Sequence, residues 1–392
     1  MRWWPASGLA VVVIAALAPG AAAAADPYCT ATYSNAAPRA GAPLRFGIDP
    51  GLAGTAGGAQ LPATPDDLGR DVAAVRALRP AHVVLVARLN RLFWSDGQSG
   101  IDQFRALVSR YAKAGVDSEL QVRYHPTSAE NGNIAAWVAY VRHVVDVFGR
   151  DRHVLDMTIT NEVNLDFSPN TSDGAYENAR DALIDGIEAA HAEAVKRGFR
   201  QLQFGFTYAY RWNPQSDAAL FQYLRSKGGS AFRRALGFVG VDFYPGSFFP
   251  PTMAGSSYRT ATAQALGVVR NCLMPMAGIG SRTPIWITEN GVATGTSESY
   301  AAQASALTQL VQAVRDYSGT FGVTDYRWFN LRDSGSAPTG SLPVLAATFT
   351  NDGLLTDTYV RKPAFAAYRS LIARWGRRLP ARHRGRHRRR HR

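Results

Sequence analysis

Two glutamates stand where a short β-rich run stops. Glu162 follows Val154-Leu155-Asp156-Met157-Thr158-Ile159-Thr160-Asn161, and Glu289 follows Pro284-Ile285-Trp286-Ile287-Thr288. Both runs are apolar enough to be buried, and a carboxylate there is costly unless it is paired or used. Two such groups facing one cleft, about 5–5.5 Å apart, are the equipment of retaining glycoside hydrolysis. One carboxylic acid protonates the leaving oxygen while one carboxylate attacks the anomeric carbon. The attacking group must then be ionised, and the acid must hold a proton, its pKa raised by desolvation and by the neighbouring charge.

Something must bring residues 127 positions apart to one mouth. β-branched runs recur at Leu44–Asp49, His82–Arg88, Asp117–Tyr124, Val154–Thr160, Gln201–Thr207, Phe238–Phe243, Pro284–Thr288 and Val323–Trp328. Amphipathic stretches fill gaps between them, among them Ile101–Ala114, Asn133–Phe148, Tyr176–Arg197 and Ala301–Tyr317. Thr64-Pro65-Asp66-Asp67 reads as a cap, a proline at the first helical position and acids in the first turn. Eight βα units predict a (β/α)8 TIM barrel. A doubly wound sheet is the alternative, but the glycine-rich loop after the first strand (Gly51, Gly54, Gly57, Gly58) lacks dinucleotide spacing and a following helix. In a barrel, strand ends converge on one face, so Glu162 after strand four and Glu289 after strand seven share a mouth.

Composition sets the outer limits. Residues 1–25 read as a secretory leader: Arg2, an apolar stretch from Leu9 to Leu17, and small residues from Ala21 to Ala25. Cleavage after Ala25 leaves 367 residues, the size of one large barrel, over residues 26–376. The net charge of +13 is local to the ends, because Arg2 and nine arginines between Arg377 and Arg392 account for all but +3. No nucleic-acid partner is therefore expected. Residues 377–392 read as a solvated, disordered tail whose partners, on an exported protein, would be anionic wall polymers or lipid surfaces. Cys29 and Cys272 are the two cysteines; export permits a disulfide between them, and two unrelated buried thiols are the other reading. No Cys/His cluster, calcium-loop pattern or His-x-His on an early strand calls for a metal, and no cofactor is expected.

Asn161-Glu162 and Ile287-Thr288-Glu289-Asn290-Gly291, at this strand interval, resemble the clan A retaining glycoside hydrolases. The second motif is close to the nucleophile motif of family 1 β-glucosidases. The spacing, Asp352-Gly353-Leu354 and Lys362-Pro363-Ala364-Phe365 look more like family 5 or family 39. The resemblance implies Glu162 as the acid/base, protonated at rest, Glu289 as the ionised nucleophile, and Asn161 as a hydrogen-bond partner of the sugar 2-hydroxyl, a contact that strengthens in the transition state. It implies that the Tyr244 hydroxyl holds the nucleophile in position and that Trp328, ending strand eight, lies under the sugar, where a flat aromatic buries C–H faces. Arg88, closing strand two, and His125, after strand three, look like site-bordering polar residues. For Arg88 a contact to the nucleophile and a structural ion pair are both open; for His125, a sugar contact and a satisfied loop histidine. Phe93, Trp94, Phe167, Tyr208, Tyr210, Trp212, Phe248 and Phe249 follow strand ends and suggest several sugar subsites. These features together predict an exported enzyme acting on an oligo- or polysaccharide. The rival from another class is a carbohydrate-binding or wall-associated barrel without turnover.

Overall fold

The computed structural model describes residues 27–51, 64–167, 169, 171–210, 213–245, 257–294, 299–334 and 351–379. The leader and the tail beyond Leu379 lie outside them, as do Trp212, Phe248 and Phe249. Eight parallel strands close in sequence order: β1 (Arg45–Asp49), β2 (Leu85–Phe93), β3 (Asp117–Arg123), β4 (Val154–Ile159), β5 (Gln203–Ala209), β6 (Phe238–Asp242), β7 (Ile285–Glu289) and β8 (Val323–Phe329). β8 pairs back onto β1, so the sheet has no edge. This is the (β/α)8 barrel that the strand rhythm predicts.

Two local expectations need correction. β2 begins three residues later than the β-branched run and continues to Phe93. His82 has φ +62°, outside the extended region, and Val83 pairs instead with Arg378. Arg88 therefore sits inside the strand and does not close it. The first helix begins at Leu68, not Pro65, because Asp67 is its N-cap and accepts from the Gly69 and Arg70 amides. At its other end the chain stays bonded to the barrel past Gly376: Arg377 donates to the Leu44 carbonyl and Leu379 to that of His82.

Strand alternation divides the core into two unlike parts. Outward positions such as Phe46, Tyr326 and Trp328 are apolar or aromatic; Phe46 and Tyr326 pack on Tyr368 of the closing helix Pro363–Trp375. Inward positions carry charge. Arg45 pairs with Asp156 across the barrel and with Asp325; Arg327 pairs with Glu119 at 3.1 Å and Asp325 at 3.1 Å; Arg88 reaches Glu119 at 3.3 Å. Trp286 lies among them, with the Arg45 and Arg327 guanidinium carbons 4.7 and 5.7 Å from its ring centre. Gly47 makes room for this: a Cβ there would stand 2.2 Å from Arg327 Cδ.

Outside the barrel, Cys29 and Cys272 form a disulfide across 243 residues of sequence. The strap it holds is also bonded by Gln264, which accepts from the Tyr33 amide and donates to the Ala31 carbonyl. The strap adds little core of its own, so the cross-link should act mainly by restricting the unfolded chain. Replacing both cysteines with serine is expected to cost about 2–5 kcal/mol in denaturant unfolding while leaving the barrel's circular dichroism unchanged.

Candidate active site

Glu289 is the last residue of β7 and lies 8% exposed. Both its oxygens are engaged: Arg88 Nη1 donates to Oε1 at 2.7 Å, and the Tyr244 hydroxyl donates to Oε2 at 2.7 Å. Burial alone would push the Arg88 guanidinium down. Glu289, Asp242, Glu119 and Asp49 outweigh that and hold it well up, so it is a permanent cation. Burial, then the Glu289 charge, raises Tyr244 well above the ordinary tyrosine range, so it stays a phenol that can donate. Both readings of Arg88 hold at once, since one guanidinium makes the structural pairs with Glu119 and Asp49 and the contact to Glu289.

Glu162 lies just beyond β4, where the chain turns sharply: Thr160 has φ +65° and Glu162 itself φ +45°. Such backbone persists only where surroundings hold it. Asp173 supplies part of that hold, accepting from the Asn161 and Tyr124 amides and from Arg123 Nε at 2.7 Å. Asn161 is locked as well. Its Oδ1 accepts from Gln121 at 2.6 Å and Thr207 at 2.8 Å, and its Nδ2 donates to the Thr171 carbonyl at 2.9 Å. The same Nδ2 lies 3.5 Å from Glu162 Oε2. Desolvation raises the Glu162 pKa well above the carboxylate range, and the charges of Asp242 and Glu289 raise it further against Arg123 and Arg88. An oxygen each from Glu162, Glu289 and Asp242 lie within 4.8 Å of one another.

The two glutamates thus differ in the way that acid and nucleophile must. One carboxylate is bonded by a cation and a phenol, and the other is desolvated without an ion-pair partner among the described residues.

Asp242, absent from the sequence reading, ends β6, where a strand-end carboxylate two residues before Tyr244 was the available signal. The three carboxyls are close enough for a cation. Arg88 already fills the cationic position at Glu289, however, and burial raises both Glu162 and Asp242.

His125 packs on Phe93 with ring centres 4.5 Å apart and planes tilted by 35°, meets Tyr176 edge-on and shares a hydrogen bond with Ser95 Oγ at 3.2 Å. Burial, then Arg123, lowers its pKa, so it is a neutral ring held at the rim. Trp328 is a correction. It is fully buried, and its Nε1 donates to the Asp352 carbonyl at 3.1 Å. Alternation is the reason: Arg327 points into the barrel, so Trp328 points out, and the part-exposed aromatic at the mouth is Phe329, edge-on to Tyr244 at 6.3 Å. Of the other strand-end aromatics, Trp94, Tyr208 and Tyr210 are buried in the core, while Phe93 is partly and Phe167 largely exposed.

No protein-family model matches the sequence, and no curated protein matches it. Solved structures do. A GH5_18 enzyme from Streptomyces cattleya in complex with GlcNAc superposes with TM-score 0.58 at 18% identity, covering 88% of this chain and 82% of that one. A second GH5_18 structure from the same organism, in complex with Manβ1-4GlcNAc, gives 0.57 at 19%, covering 86% and 82%. A family 39 glycoside hydrolase from the gut symbiont Bacteroides cellulosilyticus WH2 gives 0.56 at 14%, covering 84% and 63%. At these identities the likeness is one of fold: the chain shares the (β/α)8 barrel of those structures.

The buried charges make stability depend on pH. Desolvation, partly offset by Arg88, pushes Asp49 from 3.8 to about 7, and desolvation offset by Arg45 does the same for Asp156. Between those values the native state binds more protons than the unfolded chain, so stability present below pH 4 is lost as pH rises through 7. Asp325, lowered despite its burial by Arg45 and Arg327, contributes equally across that upper range. Thermal unfolding should therefore occur at a lower temperature at pH 8 than at pH 5. Arg88→Met should cost about 3–5 kcal/mol at pH 8 and less at pH 5, where the stranded carboxyls can take protons.

Proposed function

We propose that this chain is a retaining glycoside hydrolase that cleaves β-linked oligo- or polysaccharide outside the cell. The observation that carries the reading is the close, asymmetric pair at the mouth: Glu289 bonded by Arg88 and Tyr244, Glu162 desolvated within 4.8 Å of it. That spacing suits direct attack rather than the wider gap that leaves room for a water. Glu289 attacks the anomeric carbon as Glu162 passes its proton to the departing oxygen. Ester formation then removes the Glu289 charge, Glu162 becomes the base, and water releases the sugar with retained configuration. Asn161 Nδ2, beside Glu162, suits a bond to the sugar 2-hydroxyl. Arg88 and Tyr244 hold the nucleophile, and Phe329 takes the platform position that the resemblance assigns to Trp328.

Export is supported by the composition of residues 1–25 and by the Cys29–Cys272 disulfide, which an oxidising compartment maintains. The arginine-rich end then serves to hold the enzyme near anionic wall or lipid surfaces. Deleting residues 380–392 should leave turnover on a soluble substrate within about twofold while abolishing salt-sensitive binding to anionic vesicles.

The ligands in the GH5_18 structures make N-acetylglucosaminyl and mannosyl glycosides sensible members of an aryl glycoside and polysaccharide panel. On a substrate from that panel, Glu162→Ala should keep its first step with an acidic phenol leaving group and stall at the second. Azide should restore turnover and give a glycosyl azide of retained configuration. Glu289→Ala should give the inverted azide, more weakly. Both should lose on the order of 10² or more in rate on unactivated linkages. Swapped stereochemistry would exchange the two roles. A full panel without turnover, alongside sugar binding by calorimetry, would favour the non-catalytic barrel.

A further inference from the structure

Asp242 has a geometry that the double displacement leaves unused. Its Oδ1 accepts from Thr288 Oγ1 at 2.7 Å, while Oδ2 is buried with no hydrogen-bond partner and the residue is 2% exposed. The groups facing it are Thr288 and Glu289 from β7, Thr207 from β5, Arg88 from β2, Glu162 from beyond β4, and Tyr244 from beyond its own strand. Arg88 is the only cation among these, and its ion pairs go to Glu289, Glu119 and Asp49. Asp242 forms no ion pair among the described residues.

We infer that Asp242 is a positioning residue for the general acid: it and Glu162 hold one proton between them, and the Asp242 charge keeps that proton on Glu162. This rests on the glycosidase reading for its purpose, though not for its measurement. The hydroxyl bond from Thr288 favours the anion on Asp242, whereas the nearest donor to Glu162 is Asn161 Nδ2 at 3.5 Å. Glu289 cannot do this work throughout the cycle, because its charge disappears when the ester forms. Asp242 remains charged in both half-reactions, so the balance is preserved. In the first, the Glu162 proton leaves with the departing oxygen as the Glu289–carbon bond forms. In the second, Glu162 recovers a proton from water as the water–carbon bond forms and the ester breaks. A standing charge beside Glu162 makes it a stronger base in that second step.

Burial, then the Glu289 charge, raises Asp242 as well, which is the mark of carboxyls that cannot all ionise together.

The test needs no substrate. With the Glu Cδ and Asp Cγ carbons labelled with carbon-13, the Glu162 titration is followed by NMR in the wild type and in Asp242→Asn. The Glu162 pKa should fall by about one to three pH units in the variant. In Glu162→Gln the Asp242 titration should stay in place, because Asp242 already loses its proton while Glu162 is neutral; a fall there would put the shared proton on Asp242 and overturn the proposal, which keeps the question answerable if the first variant fails to fold. On an aryl glycoside from the panel, the alkaline limb of kcat/KM should move down by the same shift for a poor leaving group and stay in place for 2,4-dinitrophenol. An unmoved Glu162 titration, or equal loss on both leaving groups with no shift of the limb, would overturn the proposal. Absence of hydrolysis throughout, with the NMR coupling intact, would count against the glycosidase reading alone.

Discussion

Charge inside a closed barrel is the constraint on which the rest of this molecule depends. Inward positions of the eight strands hold Arg45, Arg88 and Arg327 with Asp49, Glu119, Asp156 and Asp325, all buried. Each guanidinium must be satisfied by several carboxylates at once, because a buried ion missing one partner costs several kcal/mol. Arginine suits this role, since its planar fork serves several oxygens without losing its proton. The outer apolar shell, including Trp328, Tyr326 and Tyr368, then seals the sheet against its helices.

The same network ends at the chemistry. Arg88 spans from Glu119 in the middle of the barrel to Glu289 at its mouth, so Glu289 is fixed by the interaction that stabilises the core. Glu162 is held differently. It rides on a strained turn braced by Asp173, Asn161 and Thr207, and it is desolvated without a cation of its own. One carboxylate tied to the core and one left short of partners is how a single fold supports opposite protonation states a few ångströms apart.

That asymmetry has a cost that spreads beyond the two glutamates. More carboxyls than cations are buried around the mouth, and Asp49, Asp242 and Asp352 are all raised by desolvation. Protons make up the difference. The interior is therefore a set of coupled acids, and its proton inventory links catalysis to folding through the same groups.

The sequence by itself determined the barrel, because a two-residue alternation of β-branched runs and a helical period between them are local signals repeated eight times. It also placed Glu162, Asn161, Glu289 and Tyr244 at or just beyond strand ends, which follows from counting βα units. It could not show Asp242, Arg88's double duty, or that Trp328 is buried while Phe329 stands at the mouth. Each depends on which way a side chain faces, and a shift of one residue in a strand reverses that. Strand β2 shows the point: read three residues early, it puts Arg88 at the end of the strand, whereas the register Arg88↔Glu119 puts it at the centre of the charge network. The disulfide is of the same kind, since two cysteines 243 residues apart carry no sign of proximity until the chain closes. Local periodicity decides which elements form. Only closure of the sheet decides which charges meet, because those meetings join residues that no sequence interval relates.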